Sequence, residues 1–205
     1  MRKIIKHNPP RDLARFVEKE KPNKFEEIHF CTSFPRLHHD CVTCLKEEQH
    51  NLSGYTEKPL PKENVHIDHF KKQSLFNDKE HVFGWDNLIV DEHAEFGADH
   101  KDKTVNQRTD YSKLINPVSE DPHFFLTYMD AGYIHPKEGL SSEEALKANY
   151  TIEAFNLTHP LLVEKRRIAI AFARQYKSYG LTDSEIIDCM KDYGFPSAIE
   201  YALNN

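Results

Sequence analysis

The sequence predicts an α+β protein, with short strands in a small core embedded in a mostly helical chain. Three observations predict it. Val65-His-Ile-Asp-His-Phe70 alternates apolar and polar residues, the period of a short strand. Ser141-Ser-Glu-Glu144 and Thr182-Asp-Ser-Glu185 have capping-box spacing ahead of apolar-periodic runs. Leu161, Leu162, Ile168, Ala169, Phe172 and Ala173 form a helical stripe between His159-Pro160 and Gly180.

The elements follow in chain order. Leu13, Phe16 and Val17 recur at helical spacing until Lys21-Pro22 stops the run. Phe25 to Pro35 is a second apolar run whose type the pattern leaves open. Cys41-Val-Thr-Cys44 opens a polar region with Pro59 and Pro61, which leads into the strand at Val65. Trp85-Asp-Asn-Leu-Ile-Val90 follows, then a polar stretch ending in His100-Lys-Asp-Lys103 that reads as a helix weakened by Gly97. Phe124-Phe-Leu-Thr-Tyr128 suggests a short strand, with Ala131-Gly132 as a hairpin turn before Tyr133-Ile134. Helices then cover Ala145 to Phe155, the stripe from Leu161, and Ile186, Ile187 and Met190 up to Gly194. This divides the chain into a basic N-terminal arm and helical lead-in over 1–40, a core over 41–110, and a mainly helical region over 111–205 packed on that core.

The composition excludes some classes. With 39% hydrophobic residues and 23 aromatic positions in 205, the chain has the apolar payload of a folded protein. A mean hydropathy of −0.70 and the lack of a run of roughly 20 apolar residues exclude an integral helical membrane protein. The start MRKIIKHNPP reaches prolines before a signal-peptide core can develop, and four cysteines are too sparse for a disulfide scaffold. The expected location is the cytoplasm. The net charge of −6 conceals an asymmetry: residues 1–24 carry +5 and the remainder −11. An acidic body repels a polyphosphate, so a nucleic-acid enzyme built this way depends on its basic lead, a metal ion or a partner.

Many of the thirteen histidines crowd the window from His66 to His100. Asp68 and His69 are adjacent, so at a bent strand end one can face a metal while the other faces a substrate. Asn87 and His100 follow 18 and 31 positions after His69. An isolated Asp-His is more often a buried hydrogen-bonded pair, with an Asn such as Asn87 serving a turn. The ordered set His-Ile-Asp-His-Phe, Trp-Asp-Asn-Leu and His-Lys-Asp-Lys is what resembles the HNH, or ββα-metal, nucleases. The resemblance implies a ββα-metal HNH core, with Asp68 as a metal ligand, His69 as general base, Asn87 orienting the histidine's loop, and His100 as the helix ligand, with Lys103 one turn on. Phosphodiester hydrolysis needs an activated water and charge compensation at phosphorus. Histidine supplies a base near neutral pH, and Mg²⁺ or Mn²⁺ needs few protein ligands because it keeps waters and takes phosphate oxygens. His66, on the strand face of Asp68, reads as a supporting or phosphate-contacting residue.

Many HNH proteins also hold a structural Zn²⁺ between two Cys-x-x-Cys pairs. Cys41-Val-Thr-Cys44 fits the first pair and the second is absent. The pair therefore reads either as zinc held by Cys41, Cys44, His93 and one more ligand, or as two buried free thiols. Cys31 and Cys189 read as core cysteines.

Segments over most of the chain resemble a narrower group, the PtuB subunits of the Septu anti-phage systems and of some retrons. These are Met-Arg-Lys-Ile-Ile, Cys-Val-Thr-Cys, His-Ile-Asp-His-Phe, Trp-Asp-Asn-Leu, Leu-Ile-Asn-Pro with Glu-Asp-Pro, and Thr-Ile-Glu-Ala-Phe-Asn-Leu-Thr-His-Pro followed by Glu164-Lys-Arg-Arg167. The resemblance implies an effector endonuclease held by a PtuA-like ATPase and, in retrons, by a reverse transcriptase and its multicopy single-stranded DNA. Its substrate would be phage DNA or host RNA such as tRNA. Lys165, Arg166 and Arg167 read as phosphate contacts or as a solvated helix face. Arg2, Lys3, Lys6, Arg11 and Arg15 read as steering nucleic acid or binding an acidic partner. The competing readings are a catalytically silent, zinc-stabilised adaptor and, with no basic recognition helix to support it, a zinc-module regulator.

Overall fold

The computed structural model describes residues 1–75, 79–104 and 110–205, with the side chains of 79, 80 and 102–104 outside the description. The fold is α+β, with two small antiparallel sheets among helices.

Helix α1 (Arg11–Glu20) buries Leu13 and Phe16 and ends at Lys21, whose left-handed φ of 50° precedes the helix-breaking Pro22. The ambiguous run after it forms a 3-10 helix, Phe25–Phe30, with Phe25 and Ile28 inward. The Cys-x-x-Cys segment is helical: α2 (Leu37–Glu48) buries Leu37, Cys41 and Leu45 along one face. Strand β1 (Val65–His69) pairs antiparallel with β2 (Leu88–Glu92), His69 opposite Leu88 and Val65 opposite Glu92. Between them lie two 3-10 turns, Gln73–Leu75 and Trp85–Asn87, and α3 (Lys79–Phe83). Helix α4 (Ala98–Thr104) follows β2. Gly97, which weakened the sequence signal, precedes α4 with φ +70°, so the helix starts after it.

Further on, α5 (Pro122–Phe125) leads into β3 (Leu126–Tyr128), which pairs with β4 (Ile134–Pro136) around the Ala131-Gly132 turn. Helices α6 (Ser142–Ala154), α7 (Pro160–Ser178), α8 (Asp183–Met190) and α9 (Pro196–Asn204) complete the chain. Both capping boxes form, at Ser141 with Glu144 and at Thr182 with Glu185. Among the described residues, no helix is long and apolar enough to cross a membrane.

The core is organised by β2, all five residues of which are buried. Alternation sends Leu88 and Val90 into a cluster with Leu13, Phe16, Leu37 and Leu45, and Ile89 into a larger one with Tyr55, Phe70, Phe155, Leu162 and Ala169. A strand covered on both faces reads as an unbroken apolar run, which is why Leu-Ile-Val lacks the alternation of β1. Its other edge is met by Gln49, whose amide accepts from Val90 N at 2.8 Å and donates to Val90 O at 2.8 Å. The larger cluster takes in Ile4, the hairpin and the C-terminal helices, so the predicted 1–40, 41–110 and 111–205 segments share packing.

The basic lead is not a projecting arm. Ile4 N donates to Pro117 O at 2.8 Å, Lys3 Nζ to Val118 O at 2.6 Å, and Lys6 Nζ to Leu88 O at 2.6 Å and to Glu48 at 3.1 Å. Lys3 and Lys6 are thus tied to the fold, and exposed Arg15 pairs with Asp12. Cys31 is half-buried, and Cys189, expected in the core, is exposed on α8.

Candidate active-site cleft

The end of β1 opens into a cleft of about 380 Å³ lined by His66, Asp68, His69 and Asp99, with Glu26 and Lys72 at its margin. His66 and Asp68 share one face of the strand and His69 takes the other, so the cleft wraps the strand end.

His69 is largely buried, its ring edge-on to Phe25 at 5.2 Å. Its Nε2 lies 2.8 Å from Val82 O. A carbonyl can only accept, so Nε2 carries the proton and Nδ1 keeps the lone pair. Burial, the larger influence, lowers the imidazole's pKa below its ordinary value, against the raising effect of the Val82 hydrogen bond and of Asp68. The ring is therefore the neutral base at neutral pH.

Asn87 fixes both sides of this arrangement. Its Oδ1 accepts from Lys71 N at 2.8 Å, and its Nδ2 donates to Lys71 O at 2.9 Å and to His81 O at 3.2 Å. The amide thus holds the residue two beyond His69 and the residue before Val82, while Asn87 O accepts from Phe70 N at 2.8 Å. The turn carrying Asn87 is anchored through Trp85, whose indole donates to the buried Glu48 at 2.8 Å. Glu48 also accepts from His7 N and Lys6, so its carboxylate is fully engaged.

Asp68 is buried and compensated. Its Oδ2 accepts from Tyr55 OH and sits 2.6 Å from Lys101 Nζ. Lys101 is fully buried and donates also to His69 O at 2.9 Å and Phe70 O at 3.2 Å. Those oxygens satisfy all three ammonium donors, as a buried lysine requires.

Helix α4 is set by Asp91 of β2, whose Oδ2 accepts from Ala98 N at 2.8 Å. Burial pushes the Asp91 carboxyl up to about 7. A Cβ on Gly97 would lie 2.2 Å from the same oxygen, so only glycine fits there. This start turns Asp99 toward the cleft and Lys101 toward Asp68. His100 is directed elsewhere: its Nδ1 meets Ala154 O, at the end of α6, at 2.9 Å. His100 is not among the residues that line the cleft with Asp68. Among the described residues, Asp99 is the one of α4 that lines the cleft, α4 beginning where Asp91 caps it.

The expected zinc set is not brought together. Cys41 is buried in the α2 face, its thiol pushed up to about 12 by burial, and Cys44 is half-buried with its thiol also raised. Among the described residues the one group of three potential ligands is His66, His93 and Asp99, so His93 stands apart from the cysteines. Of the expected phosphate contacts, Lys165 is exposed and Arg167 pairs with Glu164 at 2.7 Å. Arg166 is a correction: it is 1% exposed, donates to Leu157 O, and lies over the Tyr128 and Phe195 rings, so it faces the core of α7's packing. The side chain of Lys103 lies outside the described residues.

Tyr55, Lys101 and Glu48 escaped the sequence reading. Their partners Asp68 and His7 lie 13 to 41 positions away, and among these three only Lys101 sits beside a residue already singled out, His100. Compared with models of known protein families and with curated proteins, the chain gives no match.

Proposed function

We propose that the chain is a metal-dependent HNH endonuclease that hydrolyses phosphodiester bonds, acting as the effector of an anti-phage complex with a PtuA-like ATPase. The observation that carries the reading is the pair of contacts from His69 Nε2 to Val82 O and from Asn87 Nδ2 to His81 O, which leave Nδ1 as a positioned base beside an open polar cleft.

The chemistry follows from this chain's groups. His69 Nδ1 takes a proton from a water, the water oxygen bonds to phosphorus, and the bond from phosphorus to the leaving oxygen breaks as that oxygen gains a proton from solvent. Asn87 holds the loop whose carbonyl fixes the imidazole, making it a positioning residue. Lys72 at the cleft margin supplies positive charge near a bound phosphate. A divalent cation at the cleft would compensate charge at the transition state. Of the positions the resemblance implies for it, Asp68 lines the cleft and holds Lys101 and Tyr55 through Oδ2, and His100 meets Ala154 O through Nδ1.

The defence setting, with the ATPase and in retrons a reverse transcriptase and its multicopy single-stranded DNA, is supported by the sequence resemblance. The acidic body agrees with an effector that grips nucleic acid weakly alone. The test is incubation of purified protein, with and without the ATPase encoded beside it, with plasmid DNA and total tRNA under Mg²⁺, Mn²⁺ or EDTA. Cation-dependent cutting of either substrate supports the reading, and intact substrates in every arm of the ATPase-containing reaction oppose it.

A further inference from the structure

We propose that His66, His93 and Asp99 form a metal centre for a nitrogen-preferring first-row divalent cation, of which Zn²⁺ is the type, at the edge of the cleft. Three different elements supply the ligands: β1, the residues just after β2, and α4. Their ligand atoms all lie within 4.8 Å of one another. Asp99 Oδ2 is 3.1 Å from His93 Nδ1 and Asp99 Oδ1 is 3.7 Å from His66 Nε2. Ligands bonded at 2.0–2.1 Å around a tetrahedral ion lie about 3.3 Å apart, so small movements bring these atoms onto one sphere.

Three further observations agree. The His66 and His93 rings stack at 4.2 Å and 20°, which sets two imidazole donors side by side at the cluster. Ala94 N donates to Asp99 Oδ2 at 3.2 Å and orients the carboxylate, as an outer hydrogen bond does for a metal ligand. The donors are two imidazoles and one carboxylate, a set that suits zinc, manganese or cobalt better than magnesium, which takes oxygen.

Three protein ligands leave a coordination position open, the mark of a reactive rather than a structural zinc. His66 and Asp99 both line the cleft with Asp68 and His69, so a cation held there would border the space beside the candidate base. This place is distinct from the Asp68 and His100 positions that the family resemblance implies. The centre is independent of the nuclease reading, because it rests on ligand geometry alone.

The experiment is Co²⁺ titration of full-length protein stripped by chelator dialysis, followed by visible absorption, with Zn²⁺ displacement and thermal unfolding as second readouts. One equivalent of Co²⁺ with d–d bands, displaced by Zn²⁺, is expected, together with a raised Tm because the ion ties two strands to a helix. His93→Ala and Asp99→Asn should each weaken Co²⁺ binding at least tenfold. His93 is largely exposed, so that variant should keep the wild-type far-ultraviolet dichroism. The double variant Cys41→Ser/Cys44→Ser, if folded, and the variant His69→Ala should bind as wild type. Unchanged affinity in both His93→Ala and Asp99→Asn, loss of binding in a folded cysteine variant, or no stoichiometric binding by the wild type would overturn the proposal. Loss of nuclease activity in His69→Ala with metal binding retained separates this centre from the catalytic reading.

Discussion

Lys101 places its ammonium 2.6 Å from the Asp68 carboxylate, with neither side chain more than 5% exposed. A buried ion pair is a weak source of net stability while intact, yet removing one partner leaves an uncompensated charge. Lys101→Met should therefore destabilise the protein by about 3–5 kcal/mol, and adding Asp68→Leu should recover much of the loss. Urea unfolding measures both. A single variant within about 0.5 kcal/mol of wild type would show that the pair does not form as described.

Asn87 acts through two backbone segments. Asn87→Ala should lower kcat by tenfold or more with a smaller change in KM, because the imidazole loses its fixed geometry while the cleft stays open. Single-turnover cleavage with near-wild-type dichroism is the appropriate measurement. A fall in KM-limited rate alone would place Asn87 in binding instead.

His69 gives a pH dependence of known sign. Its folded pKa lies below the ordinary 6.5, so the neutral ring is favoured in the folded state. The stability it contributes is complete above 6.5 and is lost as pH falls through the depressed value. For activity, the acid limb of kcat/KM should have its midpoint below 6.5, since the base works only when neutral. A midpoint above 6.5 would contradict the burial argument.

Gly97→Ala tests the start of α4. The added Cβ meets Asp91 Oδ2 at 2.2 Å and the φ of +70° is costly for alanine, so the change should destabilise by about 1–3 kcal/mol or more. It should also disturb Asp99, and with it any Co²⁺ binding at His66 and His93. Thermal unfolding and metal titration read the two effects separately.

These relationships were unequally legible in the sequence. The β1 strand, the caps at Ser141 and Thr182, and the Ala131-Gly132 turn are local, and local spacing carried them. The candidate base and its asparagine came from an ordered motif. The phase of α4 did not, because it depends on a cap from Asp91 across a glycine turn, ahead of the Asp99 that lines the cleft. Within Lys-Arg-Arg, Arg166 reads as a phosphate contact or a solvated face, but the turn of α7 carries it inward between exposed Lys165 and Arg167. The Cys-x-x-Cys window leaves zinc ligation and two buried free thiols both open, because spacing alone does not reveal that α2 is helical through it.

The account rests most on His69 as the base. The direct measurement is cleavage of plasmid DNA and total tRNA by the wild type and by His69→Ala, each assembled with the neighbouring ATPase and supplied with Mg²⁺ or Mn²⁺. Loss of cutting by at least a hundredfold in a folded, assembled variant is predicted. Cleavage at the wild-type rate in a clean His69→Ala preparation would contradict it.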